Sequence, residues 1–346
     1  MKIKNYLACV FDGMVKGLFA SLIIGVILTQ IGDMLNIAEL VTIGRIAQFL
    51  MGPAIGVGVA YKRNASPMTL LASAVCGLIG AGAVTLAEGV PTAVAPGTLI
   101  PGEPLGAFLA ALVGVEIGKL IEGRTKFDLM LVPLAVIIAG GIAGLYVSPF
   151  MSAVMRDFGA FVNELTRLHP IPMGILIAVI VGSVLTLPLS SAALCIAIGI
   201  EGIAAGAALV GCAVQMVGFA TISFRENKIS GLLSQGLGTA KIQFPNIIKN
   251  PLIWVPTLVV SAILGPVSTV LFEMQTNSVG AGMGTSSLVG QITTLATMTN
   301  LGYDPQRVLI KIAILHFALP AVLCLTLSEI MRRAKLIKFG DMKIES

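Results

Sequence analysis

The chain has 346 residues, of which 56% are hydrophobic and only 11% charged, with a mean hydropathy of +0.97 and a formal net charge of +5. A soluble domain carries about a quarter charged residues, so this composition excludes a soluble globular protein and predicts an all-α polytopic membrane protein. Aromatics at 5%, with no basic patch interleaved among them, exclude a nucleic-acid partner.

Residues 1–16 place Leu7, Val10, Phe11, Met14 and Val15 at helical spacing and predict an interfacial helix. Asp12 and Lys16 interrupt the apolar run that a cleavable signal would need. Spans are predicted over 17–35 and 43–61, the second kinked at Gly52-Pro53, then over 67–87. Residues 88–104 hold four prolines and no Lys or Arg and are read as a loop. Two further spans follow, over 105–121 (with Glu116 inside it) and 129–147. Residues 148–168 alternate an apolar stripe with Arg156, Asp157, Asn163, Glu164 and Arg167, the pattern of an amphipathic helix at the outer interface.

Residues 171–187 form the next span. The apolar run is then broken at Pro188 and Ser190-Ser191, and 192–200 and 203–219 flank Glu201. This pattern fits two full spans or a re-entrant hairpin plus one span equally. Residues 223–250 carry Arg225, Lys228, Lys241 and Lys249, yet 231–238 is too apolar for a plain solvated loop. Residues 251–272 span again, with Trp254 as an interfacial anchor. Residues 273–303 combine Gly280, Gly282 and Gly284 with many hydroxyl and amide side chains. Such a backbone cannot face lipid, so this is read as a second re-entrant element. Residues 308–330, containing His316, close the set. The expectation is about eight to ten transmembrane helices with re-entrant hairpins.

Basic residues set the orientation. Lys2, Lys4 and Lys16, then Lys62-Arg63, then Lys119, Arg124 and Lys126, and finally Arg332, Arg333, Lys335 and Lys338 all fall on one side if the termini are cytoplasmic. The expected location is the bacterial inner membrane, with lipid as an obligatory partner. The chain divides into a transmembrane half (1–147), an interfacial connecting helix (148–169), a solute-binding half (170–330) and a basic tail (331–346).

Glu201 is the only charged residue between His169 and Arg225. A carboxylate at membrane depth must face protein or water, and intramembrane ionisable residues are functional by default. It is expected to be buried, a setting that favours the protonated form, and to bind a small polar solute, a proton or a cation. The alternative is a packing carboxylate. Gln215, Asn277, Thr285, Ser286 and Ser287 are weaker hydrogen-bonding candidates, and His169 is read chiefly as a helix cap, with a solute role second. The glycine-rich run 279–287 lacks the Gly-Lys-Ser/Thr ending of a phosphate loop, so nucleotide binding is rejected. Asn246 and Asn250 are expected to cap helix starts. His316 and Glu116 are read chiefly as satisfied packing residues, with a gate or proton role second. The five cysteines are scattered, and no metal-ligand spacing or nucleophile–base pattern occurs, so no metal, cofactor or catalytic residue is expected.

Five stretches carry a resemblance: Glu201-Gly202-Ile203-Ala204-Ala205-Gly206-Ala207-Ala208, Gln215-Met216-Val217-Gly218-Phe219, residues 231–239, Pro245-Asn246-Ile247-Ile248-Lys249-Asn250-Pro251, and Gly282-Met283-Gly284-Thr285-Ser286. The chain resembles the membrane-embedded IIC components of the bacterial sugar phosphotransferase system, and within them the stand-alone group that includes perfringolysin O regulators. The resemblance implies a homodimer whose first half forms the interface. It also implies a second half that carries a sugar or sugar-like solute by elevator-type movement, with any phosphorylation supplied by separate IIA and IIB proteins. Glucose-type IIC proteins hold the sugar through the glutamate of a Gly-Ile-Thr-Glu-Pro motif. Gly199-Ile200-Glu201-Gly202 is similar but lacks the Thr and the Pro. A membrane sensor that keeps a vestigial pocket and an ion-coupled carrier are the alternative functions.

Overall fold

The computed structural model describes residues 3–87, 90–93, 102–124 and 127–344, so Lys2, Lys126 and most of the proline-rich stretch within 88–104 lie outside the described residues. It divides into two compact units, Met1–Val154 and Met155–Ser346.

In the first unit, α1 (Ile3–Leu18) runs through a widened π turn (Phe19–Ile23) into α2 (Ile24–Leu35). The expected interfacial helix and first span are therefore one rod, of which Asn5–Asp33 is long and apolar enough to cross a membrane. The charges that argued for a break are neutralised inside the protein: Asp12 pairs with Lys62 and, at 3.6 Å, with Lys16. Val10, Met14 and Leu18 are buried. Gly13 lets α1 touch α4 (Met51–Lys62) backbone to backbone, since a Cβ there would overlap the Gly58 carbonyl.

The second predicted span is bent by 53° between α3 (Ala38–Phe49) and α4. The junction residue Leu50 leaves helical geometry (ψ +11°), and Pro53, in the first turn of α4, has no N–H to bond the carbonyl of Phe49 at the end of α3. α5 (Pro67–Ala81) starts under a Ser66 cap and stops at Gly82, which takes φ +66°. The predicted span therefore ends six residues early, and the chain turns into a hairpin of β1 (Val84–Ala87) and β2 (Val90–Ala93), with Val84 opposite Ala93. α6 (Pro104–Ile121) follows. α7 (Asp128–Leu165) then continues unbroken for 38 residues, so the expected change from span to separate amphipathic helix at 147/148 is no break in the helix. Pro149 alone does not stop it.

The second unit is built around α10 (Gly202–Ile222), whose apolar window is 94% buried. α8 (Pro170–Thr186) runs parallel to it: Ala178 meets Gly211, Val181 meets Cys212, and Thr186 meets Gln215. Two parallel neighbours need a return, and α9 (Ser191–Ile198) provides it in eight residues, too short to cross alone. That resolves the choice between 188 and 223 in favour of a broken return and one full helix. α11 (Phe224–Leu233), short helical turns at 234–243 and α12 (Phe244–Lys249) then lead to α13 (Val255–Pro266). α13 runs antiparallel to α10, since Thr257 lies at Gln215 and Met274 at Gly206.

From Met274 the chain dips inward through α14 (Ser278–Ala281) to Gly284, which lies against Cys212 and Met216. It climbs back through α15 (Val289–Asn300). α16 (Pro305–Ile312), a π turn and α17 (Leu319–Arg333) close the unit. Lys311 binds the Phe272 carbonyl at one end, and Arg332 binds the Ile222 carbonyl at the other. Segment 273–303 thus enters and leaves at the same end, as a re-entrant element must. Six helices are long and apolar enough to cross a membrane; the bent pair and the shorter α5 and α8 make nine segments among the described residues.

Candidate functional site

Glu201 stands where the broken return meets α10. Gly199 (φ +61°) ends α9, Glu201 is extended, and Gly202 (φ +63°) starts α10. Glycine is required at both left-handed positions. Across from this turn, Gly202 N donates to the Thr276 carbonyl at 3.1 Å and Thr276 N to the Gly202 carbonyl at 3.4 Å, a single antiparallel bridge. A Cβ at Gly206, one turn on, would overlap the Met274 carbonyl. The bridge brings Glu201 beside the Gln275-Thr276-Asn277 strand. Asn277 is partly engaged: its Oδ1 accepts from Val279 N and Gly280 N, both at 3.1 Å, capping α14. Its Nδ2 has no protein partner among the described residues.

Glu201 is exposed, with no hydrogen bond or ion pair among the described residues. The expected burial does not occur, because Gly199 and Gly202 swing the backbone out of both helices at that residue. The N-terminus of α10 offers it a favourable dipole. His169 occupies the cap position of α8 with no side-chain cap bond and is exposed. Because α8 and α10 are parallel, His169 and Glu201 lie at the same end of that pair.

A second cluster lies deeper, at the level of Cys212, about 16 Å along α10 from Glu201. Here Ser287 and Leu288 both take left-handed backbone (φ +48° and +60°), costly for residues with side chains. Ser286 Oγ, Ser287 Oγ and Gln291 Oε1 are buried without a protein partner among the described residues, as is Nε2 of His316. Gln291 Nε2 lies 3.2 Å from His316 Nδ1 and 3.3 Å from the Gly284 carbonyl. His316 is therefore only half satisfied. Each orphaned buried polar atom costs about 1–3 kcal/mol unless something bonds it.

Gln215 and Thr285 are placed differently. Gln215 is fully buried, and its Oε1 accepts from Thr257 Oγ1 (2.8 Å), Trp254 Nε1 (3.0 Å) and Thr186 Oγ1 (3.1 Å). It ties α8, α10 and α13 together, and the partly buried Trp254 spends its N–H on this internal bond. Thr285 donates to the Gly236 carbonyl and is buried. The apolar stretch 231–238 is indeed packed away, with Gln235 fully buried. Asn250 caps the turn after it by accepting from Leu252 N, whereas Asn246 caps nothing and donates to Gln243 Oε1.

Sequence reasoning passes over two residues here. Lys241 is buried, and its Nζ donates to the carbonyls of Leu185 (2.6 Å), Leu189 (2.7 Å) and Leu187 (2.9 Å), closing the C-terminal end of α8. Gln291 reads as one amide among many. A lone lysine after an apolar stretch is the available signal for the first; nothing local marks the second.

Helices of membrane-crossing length, one of them a bent pair, with a broken return and a re-entrant element between them, define a multi-pass membrane protein. A family model described as phosphotransferase system, EIIC, matches residues 9–344. The chain belongs to that family and is a membrane component of a phosphotransferase-system permease. No curated protein and no solved structure matches it.

Proposed function

We propose that the protein moves a small polar solute, a sugar or sugar-like molecule, across the bacterial inner membrane, with both termini cytoplasmic. Glu201 is the principal ligand in this reading, and Asn277 is its partner across the Gly202–Thr276 bridge. That bridge is the observation that carries the proposal: it joins two interrupted segments of a hydrophobic unit, and the carboxylate at the junction has no partner among the described residues. Interrupted helices with free polar groups are how membrane carriers build solute sites. Ser286 and Ser287, with His316 and Gln291, offer hydroxyl, imidazole and amide groups deeper along the same unit. Gln215 and Thr285 are engaged within the protein and act by holding these segments. In this reading His169 lies at the mouth.

Family membership supports cooperation with separate IIA and IIB proteins, which would supply phosphate. A homodimer joined through the first unit, with the second moving between two membrane faces, is the working mechanism.

The test is a thermal-shift screen of the purified protein across sugars, polyols and small anions, run beside Glu201→Gln. A bound solute raises the unfolding midpoint by mass action. The expected result is a solute that stabilises the parent and does so at least tenfold less tightly in the variant, the loss of one charge-assisted hydrogen bond. Equal affinity in the two proteins removes Glu201 from the site.

A further inference from the structure

The chain does not trail off after α17. Asn227 Nδ2 and Gln243 Nε2 donate to the Met342 carbonyl at 2.8 and 2.9 Å, Asn246 Nδ2 donates to the Lys343 carbonyl at 3.0 Å, and Ile344 N donates to Asn227 Oδ1 at 2.8 Å. Asp341 accepts from Asn250 Nδ2 at 2.7 Å and from Lys338 N at 2.8 Å. Met342 is fully buried and Ile337 nearly so. A polar, basic tail would ordinarily be solvated and mobile; this one is strapped down as far as Ile344.

The strap shapes an open cavity of about 430 Å³, lined by Arg225, Arg332, Lys335, Ile337, Lys338 and Phe339. Four of the six are cations. Arg332 is paired with Glu226 at 2.9 Å and Arg225 with Glu329 at 3.0 Å, whereas Lys335 and Lys338 have no ion pair among the described residues. Arg332 Nε is also buried without a protein partner among them. The cavity thus keeps an excess of positive charge and unfilled donors. Phe339 is 76% exposed beside it, and Leu336 is exposed as well. All of this lies within a few residues of the end of a membrane-crossing helix.

We propose that this cavity binds the phosphate of an anionic phospholipid headgroup, with Lys335 and Lys338 as its main donors and Phe339 and Leu336 against the acyl region. Phosphate chemistry follows from the charge and the donors. The lipid source follows from the two apolar side chains and from the position at the membrane surface, where basic residues gain about 1 kcal/mol each from anionic lipid. A soluble phosphate would leave the apolar pair without a role.

The test uses the full chain in a non-ionic detergent, titrated with short-chain phosphatidylglycerol, phosphatidylcholine and inorganic phosphate, with retained lipid counted by native mass spectrometry. The parent should hold phosphatidylglycerol in preference to phosphatidylcholine. The Lys335→Gln/Lys338→Gln double variant should bind it roughly 30-fold more weakly, two residues at about 1 kcal/mol each. Neither lysine makes an ion pair that folding needs, and an unchanged unfolding midpoint without lipid checks this. Arg307→Gln, an exposed charge at the far end of the α16–α17 pair, should bind as the parent does. Equal binding by parent and double variant overturns the site. Displacement of the lipid by millimolar phosphate overturns the lipid source. A double variant that keeps its lipid but loses a phosphate-donor protein would make the surface a protein-docking site, and the lipid proposal would fall.

Discussion

Two glutamates sit in apolar surroundings, one in each unit, and their settings are opposite. In the first unit both oxygens of Glu116 are engaged: Arg63 grips it with two nitrogens, at 2.6 and 3.2 Å, and Tyr6 Oη donates at 2.9 Å. Arg63 itself lies over the Tyr6 ring, 4.8 Å from the centroid. In the second unit Glu201 stands exposed at a helix break without a partner among the described residues. The first carboxylate is used up by the fold, and the second is left over from it. An unspent charge at a deliberate interruption is what a solute site requires; a saturated one is what helix packing requires. The same contrast holds among amides, between saturated Gln215 and half-free Gln291.

Removing a saturated charge should therefore cost stability, and the largest loss is expected at Lys241. Lys241→Met leaves the carbonyls of Leu185, Leu187 and Leu189 without their donor at the end of α8. About 3 kcal/mol of destabilisation is expected, read as a lowered unfolding midpoint or loss of the monodisperse peak in detergent. An unchanged midpoint would mean that water replaces the ammonium group at no cost, and the second unit would not depend on its buried cation.

Glu116→Gln is the next smaller step. The side chain of Glu116 is 37% exposed and that of Arg63 20%, so solvent screens the pair. The expected loss is about 1–2 kcal/mol, below the figure for a fully buried pair. Glu201→Gln should shift the same midpoint by less than about 0.5 kcal/mol, as surface substitutions do, while changing solute affinity. If the two variants lose equal stability, the distinction between spent and unspent carboxylates collapses.

Much of this contrast is legible in the amino-acid sequence. Glu201 stands out there as the only charge in a long apolar run, and the re-entrant reading of 273–303 follows from glycines and hydroxyls that lipid does not tolerate. What the sequence hides is tertiary. Asp12 interrupts an apolar run, but Lys62, fifty residues on, removes that cost. Gln215 reads as a ligand because the sequence does not show Thr186, Trp254 and Thr257 converging on one oxygen from two other segments. The burial expected of Glu201 assumes a helix continuing through it, whereas two left-handed glycines turn the residue outward. Local patterns locate an unusual residue; only packing tells whether its bonding capacity has been used.

Acid provides the smallest and most selective separation. Glu122, just past the end of α6, accepts from Ser66 N at 3.0 Å and Thr69 Oγ1 at 3.1 Å. Burial alone would raise its pKa, but these bonds outweigh it and hold the carboxyl below its ordinary value. A depressed folded-state pKa means that the carboxylate adds stability above the unfolded value, near 4.5, and loses it as pH falls through the lower folded value. The group is partly solvated, so the effect should stay under about 1 kcal/mol. Unfolding midpoints of the parent measured from pH 7 downward should thus fall more steeply below about pH 4.5 than those of Glu122→Gln. An equally steep fall in Glu122→Gln would show that the bonds from Ser66 and Thr69 give the folded carboxylate no advantage over the unfolded one, and would move Glu122 to the unspent side of the comparison.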